Sequence, residues 1–333
     1  MIYNSFNNPG LVKVLYFLKS HNTEYLSGQD LSDVLKISRV AVWKHIKKIK
    51  ELGYKIETKQ KLGYRLESDS EKLLPWEITE GLKTKFIGKQ AYYFDSIDST
   101  QNQALTMTFD KENNGAVIVA EKQTSGKGRS GRKWESPKGG IWLSVILHPK
   151  FDIEIATLFP LASALALSNS IEKTLKIKTE LKWPNDITIQ GKKVAGMLVD
   201  ASLESNKIES LVLGVGINFN VDVKQIERTL KGTPNFYGVT SLSEHGKIGM
   251  PSNLVLSFLT ELERIYFILS AGETKEIIRE WTKKSSTVGK EIEIKTGKET
   301  IKGKAIEIDD DGALIISENN RNRRVIAGDI IHI

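Results

Sequence analysis

The chain has no cysteine. That excludes a disulfide framework and any thiolate metal site. No apolar run reaches the roughly 18–20 residues that a membrane span needs. The first ten residues, M-I-Y-N-S-F-N-N-P-G, lack the basic start and apolar core of a signal peptide. A cytoplasmic protein without membrane association is expected. No G-x-x-x-x-G-K-[ST] pattern occurs, so a P-loop is excluded. What is present is ordinary for a globular chain: 40% hydrophobic and 27% charged residues, enough for real cores. A length of 333 residues predicts two or three domains. The net charge of +7 favours polyanionic partners without choosing among nucleic acid, nucleotides and acidic proteins.

The densest stretch is Q-T-S-G-K-G-R-S-G-R-K-W, Gln123 to Trp134. Gly126, Gly128 and Gly131 let backbone approach a ligand closely. Lys127, Arg129, Arg132 and Lys133 supply charge and donors suited to carboxylate or phosphate. The glycines also match G-x-G-x-x-G, the dinucleotide fingerprint, which requires a strand before it and a helix opening on it. The strand is present as Ala116–Ala120. Downstream, Pro137, Gly139 and Gly140 lead into a second strand-like run, Ile141–Leu147. Strand–loop–strand is therefore predicted, an anion-holding loop rather than a Rossmann turn.

Residues 1–67 read as a winged helix-turn-helix. Leu11, Val14, Leu15 and Leu18 share one face of a first helix. Ser27 caps a second and Ser38 a third, Arg39 to Leu52, stopped by Gly53. In the third helix Val40, Trp43, Ile46 and Ile49 are expected on the inner side. Arg39, Lys44, His45, Lys47 and Lys48 are expected on the outer side, with no acid until Glu51. Two short strands around Lys59-Gln-Lys61 supply the wing. The third helix would enter a major groove and the wing would touch backbone, with Ser38, Arg39, Lys44, Lys47, Lys48, Lys59 and Lys61 as the DNA-binding candidates. No second histidine lies near His45, which argues against a metal there.

Residues 70–285 follow a polar linker at 68–72. Asp98, Ser99 and Thr100 stand where a strand (Ala91–Asp95) hands over to a helix (Gln101–Thr108), either as caps or as hydroxyls for a ligand. Leu158–Thr174 predicts a buried helix. Glu180–Ile189 predicts one strand interrupted at Lys182-Trp-Pro-Asn-Asp186, where Pro184 implies a bulge or an edge. A turn at Gln190-Gly191 would bring Lys193 back toward Asp186 and Lys182. Gly214 and Gly216 weaken the strand Leu211–Asn220, as a close approach by a ligand would require. Residues 221–238 predict a long irregular or partly helical lid, and 252–284 a helical stretch. Residues 286–333 predict five short strands in a small SH3-like β-barrel, with Asp309–Asp311 as a solvated turn rather than a metal site.

Taken in order, these stretches resemble the bifunctional biotin protein ligases, which are also biotin operon repressors. Asp98-Ser-Thr100, Gln123–Trp134, Lys182–Asp186, Lys193–Gly196 and Gly214–Asn218 carry the likeness, which covers essentially the whole chain. The resemblance implies an α+β protein in three parts: winged helix, central mixed-sheet α/β ligase domain of class II synthetase type, and C-terminal SH3-like β-barrel. It implies a ligase that joins biotin to ATP, with Mg2+, as biotinyl-5′-AMP. The biotin then passes to a lysine of biotin carboxyl carrier protein. It implies a homodimer on operator DNA when biotinyl-AMP is bound, with the Gly126–Arg132 loop gaining order at that point.

By the same resemblance Lys193, Arg129 and Asp186 are catalytic. Ser99, Thr100 and Gln123 contact the biotin head. Gln101, Gly126, Arg132, Trp134, Gly196, Gly214 and Gly216 complete the biotinyl-AMP site. Lys127, Gly128 and Arg129 fold over the carboxylate and α-phosphate. Lys182, Asn185, Asp186 and Asn218 flank the nucleotide. Two rivals remain: a non-enzymatic biotin-sensing repressor, against which the presence of Lys193, Arg129 and Asp186 counts, and a lipoate or octanoate ligase, against which the winged helix and the loop count.

The loop departs from the family's arginine-rich pattern at Lys127 and Ser130. Lysine keeps the charge and loses the planar fork. Lys127→Arg is therefore expected to slow biotinyl-AMP dissociation; an unchanged or faster off-rate would refute this.

Overall fold

The computed structural model describes residues 2–4, 8–205, 207–232, 236–296, 299–319 and 321–332. A short strand, β1 (Ile2–Asn4), precedes three helices, α1 (Pro9–Ser20), α2 (Gly28–Leu35) and α3 (Arg39–Glu51), and a hairpin of β2 (Lys55–Lys59) and β3 (Gly63–Ser68). Leu11, Val14, Leu15 and Leu18 are buried, as their spacing predicts. Ser27 opens α2 with a reciprocal capping box to Asp30, and Ser38 Oγ accepts from the Ala41 amide at 3.1 Å to open α3. The inner face of α3 differs from the expectation. Val42, Ile46 and Ile49 are buried, whereas Val40 and Trp43 are 63% and 55% exposed. Steps of four then three keep a side chain on one helical face, and two successive steps of three drift off it.

The central part runs α4 (Pro75–Thr79), β4 (Ala91–Phe94), α5 (Thr100–Met107), β5 (Val117–Ala120), β6 (Ile141–Leu147) and α6 (Ile153–Leu175). It continues through β7 (Glu180–Lys182), β8 (Asp186–Ile189), β9 (Lys192–Glu204), β10 (Lys207–Ile217), α7 (Val223–Leu230), α8 (Pro251–Ser270) and α9 (Thr274–Lys283). One eight-stranded sheet has the order β1-β4-β5-β6-β10-β9-β8-β7. The pair β4–β5 is parallel and the other pairs are antiparallel. The two sides of the sheet are covered separately. On one side α6 packs on β7–β10 with α8 and α9 against it, and on the other α5 contacts β5, β6 and β10. The α5 contact closes a small core of its own with Phe94, Ala104, Ile118 and Val212. Residues 155–175 are long and apolar enough to cross a membrane by length and composition, with a mean hydropathy of 1.2. This exceeds what the sequence reading allowed. The run is mostly buried, packed between the sheet and α8, which marks it as a core helix.

Two further expectations change. Glu180–Ile189 is two strands and not one bulged strand, and the edge position that Pro184 implied holds, since β7 ends the sheet. The chain reverses at Trp183-Pro184-Asn185, across a cis Trp183–Pro184 peptide, so that Lys182 pairs antiparallel with Asp186. Residues 252–284 form two helices, broken at Ala271-Gly272, where Gly272 takes φ 74°. Residues 221–238, expected to be irregular or partly helical, contain α7, and 233–235 lie outside the described residues.

The C-terminal strands β11 (Glu291–Thr296), β12 (Glu299–Ile308), β13 (Leu314–Glu318), β14 (Arg321–Val325) and β15 (Asp329–His332) form one antiparallel sheet in the order β14-β13-β12-β11-β15. The acidic turn is paired to Arg324, at 2.5 Å from Asp309 and 2.6 Å from Asp311. Trp183 ties this part to the centre, its indole N–H donating to the Gly312 carbonyl at 3.0 Å.

Candidate functional site

Two walls of different chemistry meet in one pocket, lined among others by Thr100, Gln123, Arg129, Trp134, Lys182, Asp186 and Lys193. The first wall is polar and neutral. Gln123 Oε1 accepts from the Thr100 amide at 2.7 Å and from its hydroxyl at 3.1 Å. Gln123 Nε2 donates to Ser136 Oγ at 2.8 Å. On β6, Ser144 Oγ lies 3.0 Å from both Thr100 Oγ1 and Gln101 Oε1, and Gln101 Nε2 donates to Asp200 at 2.9 Å. Ser99 is fully buried and caps α5, the first of the two roles weighed for these hydroxyls, while Thr100 lines the pocket. Ser136, Ser144 and Asp200 were not foreseen. Nothing distinguishes an inward serine on a buried strand by sequence alone.

The second wall is cationic. The β7–β8 reversal and the β8–β9 turn put Lys182, Asp186 and Lys193 side by side. Lys193 Nζ lies 2.6 Å from Asp186 Oδ1, while Tyr237 OH donates to Asp186 Oδ2 at 2.7 Å. The Lys182 ammonium lies 3.3 Å from the centre of the Tyr237 ring. Arg129 reaches in from the loop and donates to Asn185 Oδ1 at 2.9 Å. Asn185 Nδ2 in turn donates to the Met197 carbonyl at 2.5 Å. Arg132 turns to the C-terminal sheet and pairs with Asp329 at 2.8 Å. Tyr237 and Asp329 were missed, one in the loop after α7 and one in the C-terminal sheet.

The electrostatics follow from burial. Lys182 is 7% exposed, and its ammonium is pushed down to about 8. Desolvation is the main cause, aided by Lys193 and opposed by Asp186 and Asp329. Desolvation also lowers Arg129, with Asp186 and Asp329 opposing. Cations outnumber carboxylates here, so an anionic ligand would relieve the strain. Among the described residues no group of three or more His, Cys, Asp or Glu could hold a metal.

The glycines have a different use from the one expected. A Cβ on Gly214 would lie 2.5 Å from Gln101 Oε1, and one on Gly216 would lie 2.5 Å from the Trp134 indole. Gly196, paired with Gly216 across β9 and β10, would place its Cβ 3.2 Å from the same indole. The close approach is thus by the protein's own Gln101 and Trp134. Trp134 Nε1 is buried without a described acceptor, and Lys193 Nζ lies 5.0 Å from its ring centre. Gly126 is equally confined, its Cβ position 2.5 Å from the Trp134 carbonyl. Gly128 accompanies a turn held by its amide to the Arg132 carbonyl at 2.7 Å, and Lys127 is exposed. Asn218 is buried, its Nδ2 donating to the Thr240 carbonyl at 3.1 Å.

On the winged helix, Arg39, Lys44, Lys47, Lys59 and Lys61 are exposed. Lys48 is half-buried, its ammonium 5.8 Å from the Tyr3 ring centre. His45 packs on Gly10 of α1, and burial lowers its pKa.

Gly216→Ala should drive Trp134 from its seat. The emission of the pocket tryptophans is expected to shift to the red, and ligand affinity to fall about tenfold or more, since a buried clash costs about 1–3 kcal/mol. An unshifted spectrum with native affinity would show that the seat does not matter.

Comparison with known proteins agrees with this arrangement. Residues 93–218 match the biotin/lipoate A/B protein ligase family, residues 11–65 an HTH domain, and residues 287–333 the biotin protein ligase C-terminal domain. The chain is 28% identical over 311 residues to the bifunctional ligase/repressor BirA of Escherichia coli (strain K12), covering 93% of each chain. A biotin protein ligase from Aquifex aeolicus in complex with biotin and ATP superposes with a TM-score of 0.61 at 27% identity, over 73% of this chain and 98% of that one. The bifunctional ligase/repressor BirA of Bacillus subtilis (strain 168) is 34% identical over 308 residues, 92% of this chain and 94% of its own. The chain belongs to the same family, the biotin protein ligases that carry their own DNA-binding domain and repress transcription.

Proposed function

We propose that the pocket joins biotin to ATP and delivers it to a carrier lysine, with the two walls dividing the work. The neutral wall of Thr100, Gln123 and Ser144, together with Ser99, suits the uncharged ureido head. The cationic wall of Arg129, Lys182 and Lys193 suits the two anions that must meet. In the first step a carboxylate oxygen of biotin attacks the α-phosphorus, the bond to the bridging oxygen breaks, and pyrophosphate leaves. Cations fixed where that charge gathers are the main device available. In the second step the carrier amine attacks the acyl carbon, AMP leaves, and the amine loses a proton. Asp186, the carboxylate nearest Lys193, is suited to orient that amine. The observation that carries this reading is the gathering of Arg129 on Asn185, Lys193 on Asp186 and Lys182 on Tyr237 beside the Gln123 network.

Magnesium would accompany ATP, held by phosphate oxygens. Asp186 and Asp329 are already paired with Lys193 and Arg132, which argues against a resident metal site. Residues 1–67 would form the DNA-binding unit, 70–285 the ligase and 286–333 a C-terminal cover that contributes Asp329. Biotinyl-AMP would favour a homodimer on operator DNA to the extent that it binds the dimer more tightly than the monomer.

Incubation with ATP, biotin or lipoate, and biotin carboxyl carrier protein tests the enzyme. Pyrophosphate release and labelling with biotin alone are expected. Labelling with lipoate alone, or with neither acid, would replace this reading by a lipoate ligase or a sensor.

The Lys182 shift makes a second test. Its pKa is lowered in the folded state, so protonation costs stability below about pH 8, and that cost fades as pH rises toward the ordinary lysine value. A bound anion removes the cost by raising the pKa again. ATP binding at pH 8.5 is therefore expected to take up protons, seen as a calorimetric enthalpy that varies with buffer. The uptake should vanish below about pH 7 and in Lys182→Arg. Buffer-independent enthalpy in the native protein at pH 8.5 would refute the assignment.

A further inference from the structure

Helix α3 spends two large apolar side chains on water. Val40 is 63% and Trp43 55% exposed, while the three residues that hold the helix to its core are Val42, Ile46 and Ile49. An indole left in solvent gives up the burial that drives folding, and a polar residue would serve the fold as well at that place. Val40 and Trp43 are three apart, so they adjoin on one face, within the first turns after the Ser38 cap. Arg39, Lys44 and Lys47 surround them, all exposed. The Lys47 ammonium lies 5.8 Å from the Trp43 ring centre. The helix has no acid before Glu51.

An apolar centre ringed by cations is complementary to a particular surface. The partner must offer anions at the rim and something apolar between them. The major groove of DNA does so: two rows of phosphates flank base edges, and the apolar group among those edges is the C5-methyl of thymine. The N-terminal residues of a recognition helix are the ones that reach base edges. We infer that Val40 and Trp43 read thymine methyl groups in the major groove, and so set part of the sequence the protein selects, while Arg39, Lys44 and Lys47 hold phosphate. The inference rests on the DNA-binding reading of residues 1–67 and goes beyond it in naming what is recognised.

The experiment uses the full-length protein with biotin and ATP. A random duplex library is selected for binding, and the enriched duplex is resynthesised with deoxyuridine in place of each thymidine in turn. Uracil pairs as thymine does and lacks only the methyl. Loss of about fivefold or more in affinity is expected at one or more positions for the native protein, within the range of a lost base contact. The same replacement should cost Trp43→Ala almost nothing. Trp43→Ala should keep its thermal midpoint, because the side chain is exposed, and keep the native salt slope. Lys44→Ala should instead flatten that slope. Three outcomes overturn the inference. Deoxyuridine penalties could be equal in native and variant protein. Trp43→Ala could weaken all duplexes alike with no change in sequence preference. Trp43 could govern binding to anionic phospholipid vesicles and not to DNA. If the native protein enriches no sequence, while binding DNA only weakly, the DNA-binding reading fails and the inference with it.

Discussion

Charge taken out of water without a full set of partners governs this molecule. Arg129, Lys182 and Lys193 converge on a pocket where one carboxylate, Asp186, faces them directly and Asp329 compensates from the C-terminal sheet. Such an arrangement costs folding free energy, and the rest of the architecture is what sustains it. The edge reversal at Trp183–Asn185 is anchored on both sides. The Trp183 amide donates to Thr287 at 3.1 Å and the indole to Gly312. The Lys182 ammonium shares its surroundings with the face of Tyr237, which offers a cation some of what water would.

Around this centre the packing is fitted to the protein's own parts. Gly196 and Gly216 oppose each other on neighbouring strands and leave room for one indole. Gly214 does the same for the Gln101 amide. The loop, the sheet and the start of α5 are thereby locked to one another. The polar wall and the charged wall cannot drift apart without moving a strand. Rigidity of this kind is what holding two reacting groups in line requires.

Much of this was legible in the sequence. The motifs at 98–100, 123–134, 182–186 and 193–196 all line the pocket, and the buried face of α1 follows from its spacing. What was not legible has identifiable causes. The face of α3 was misassigned because Val40, Trp43, Ile46 and Ile49 look periodic at steps of three, while the true stripe is Val42, Ile46 and Ile49. The interruption at 182–186 and an edge position are legible from Pro184, but a proline does not say whether the chain bends or reverses. Tyr237 and Asp329 join the site from 51 and 143 residues beyond Asp186, with no local pattern to announce them. Ser144 and Ser136 are ordinary serines until the fold turns them inward.

The first strand has a mechanical consequence. β1 pairs with β4 at the edge of the catalytic sheet, and Tyr3 packs against Trp76 and Tyr93 with Lys48 of α3 over its ring. The winged helix is held by the strand ahead of it, by the connection after β3, and by a face between them, where Lys19 grips Glu77 at 2.8 Å and the Trp76 indole donates to the Tyr54 hydroxyl at 2.7 Å. One buried cluster runs through that face from α1 to Trp76 and Tyr93. Any signal between the Gln123–Trp134 loop and α3 would then travel through shared packing, and β4, which runs from this face toward the Ser99–Thr100 junction, lies along its route.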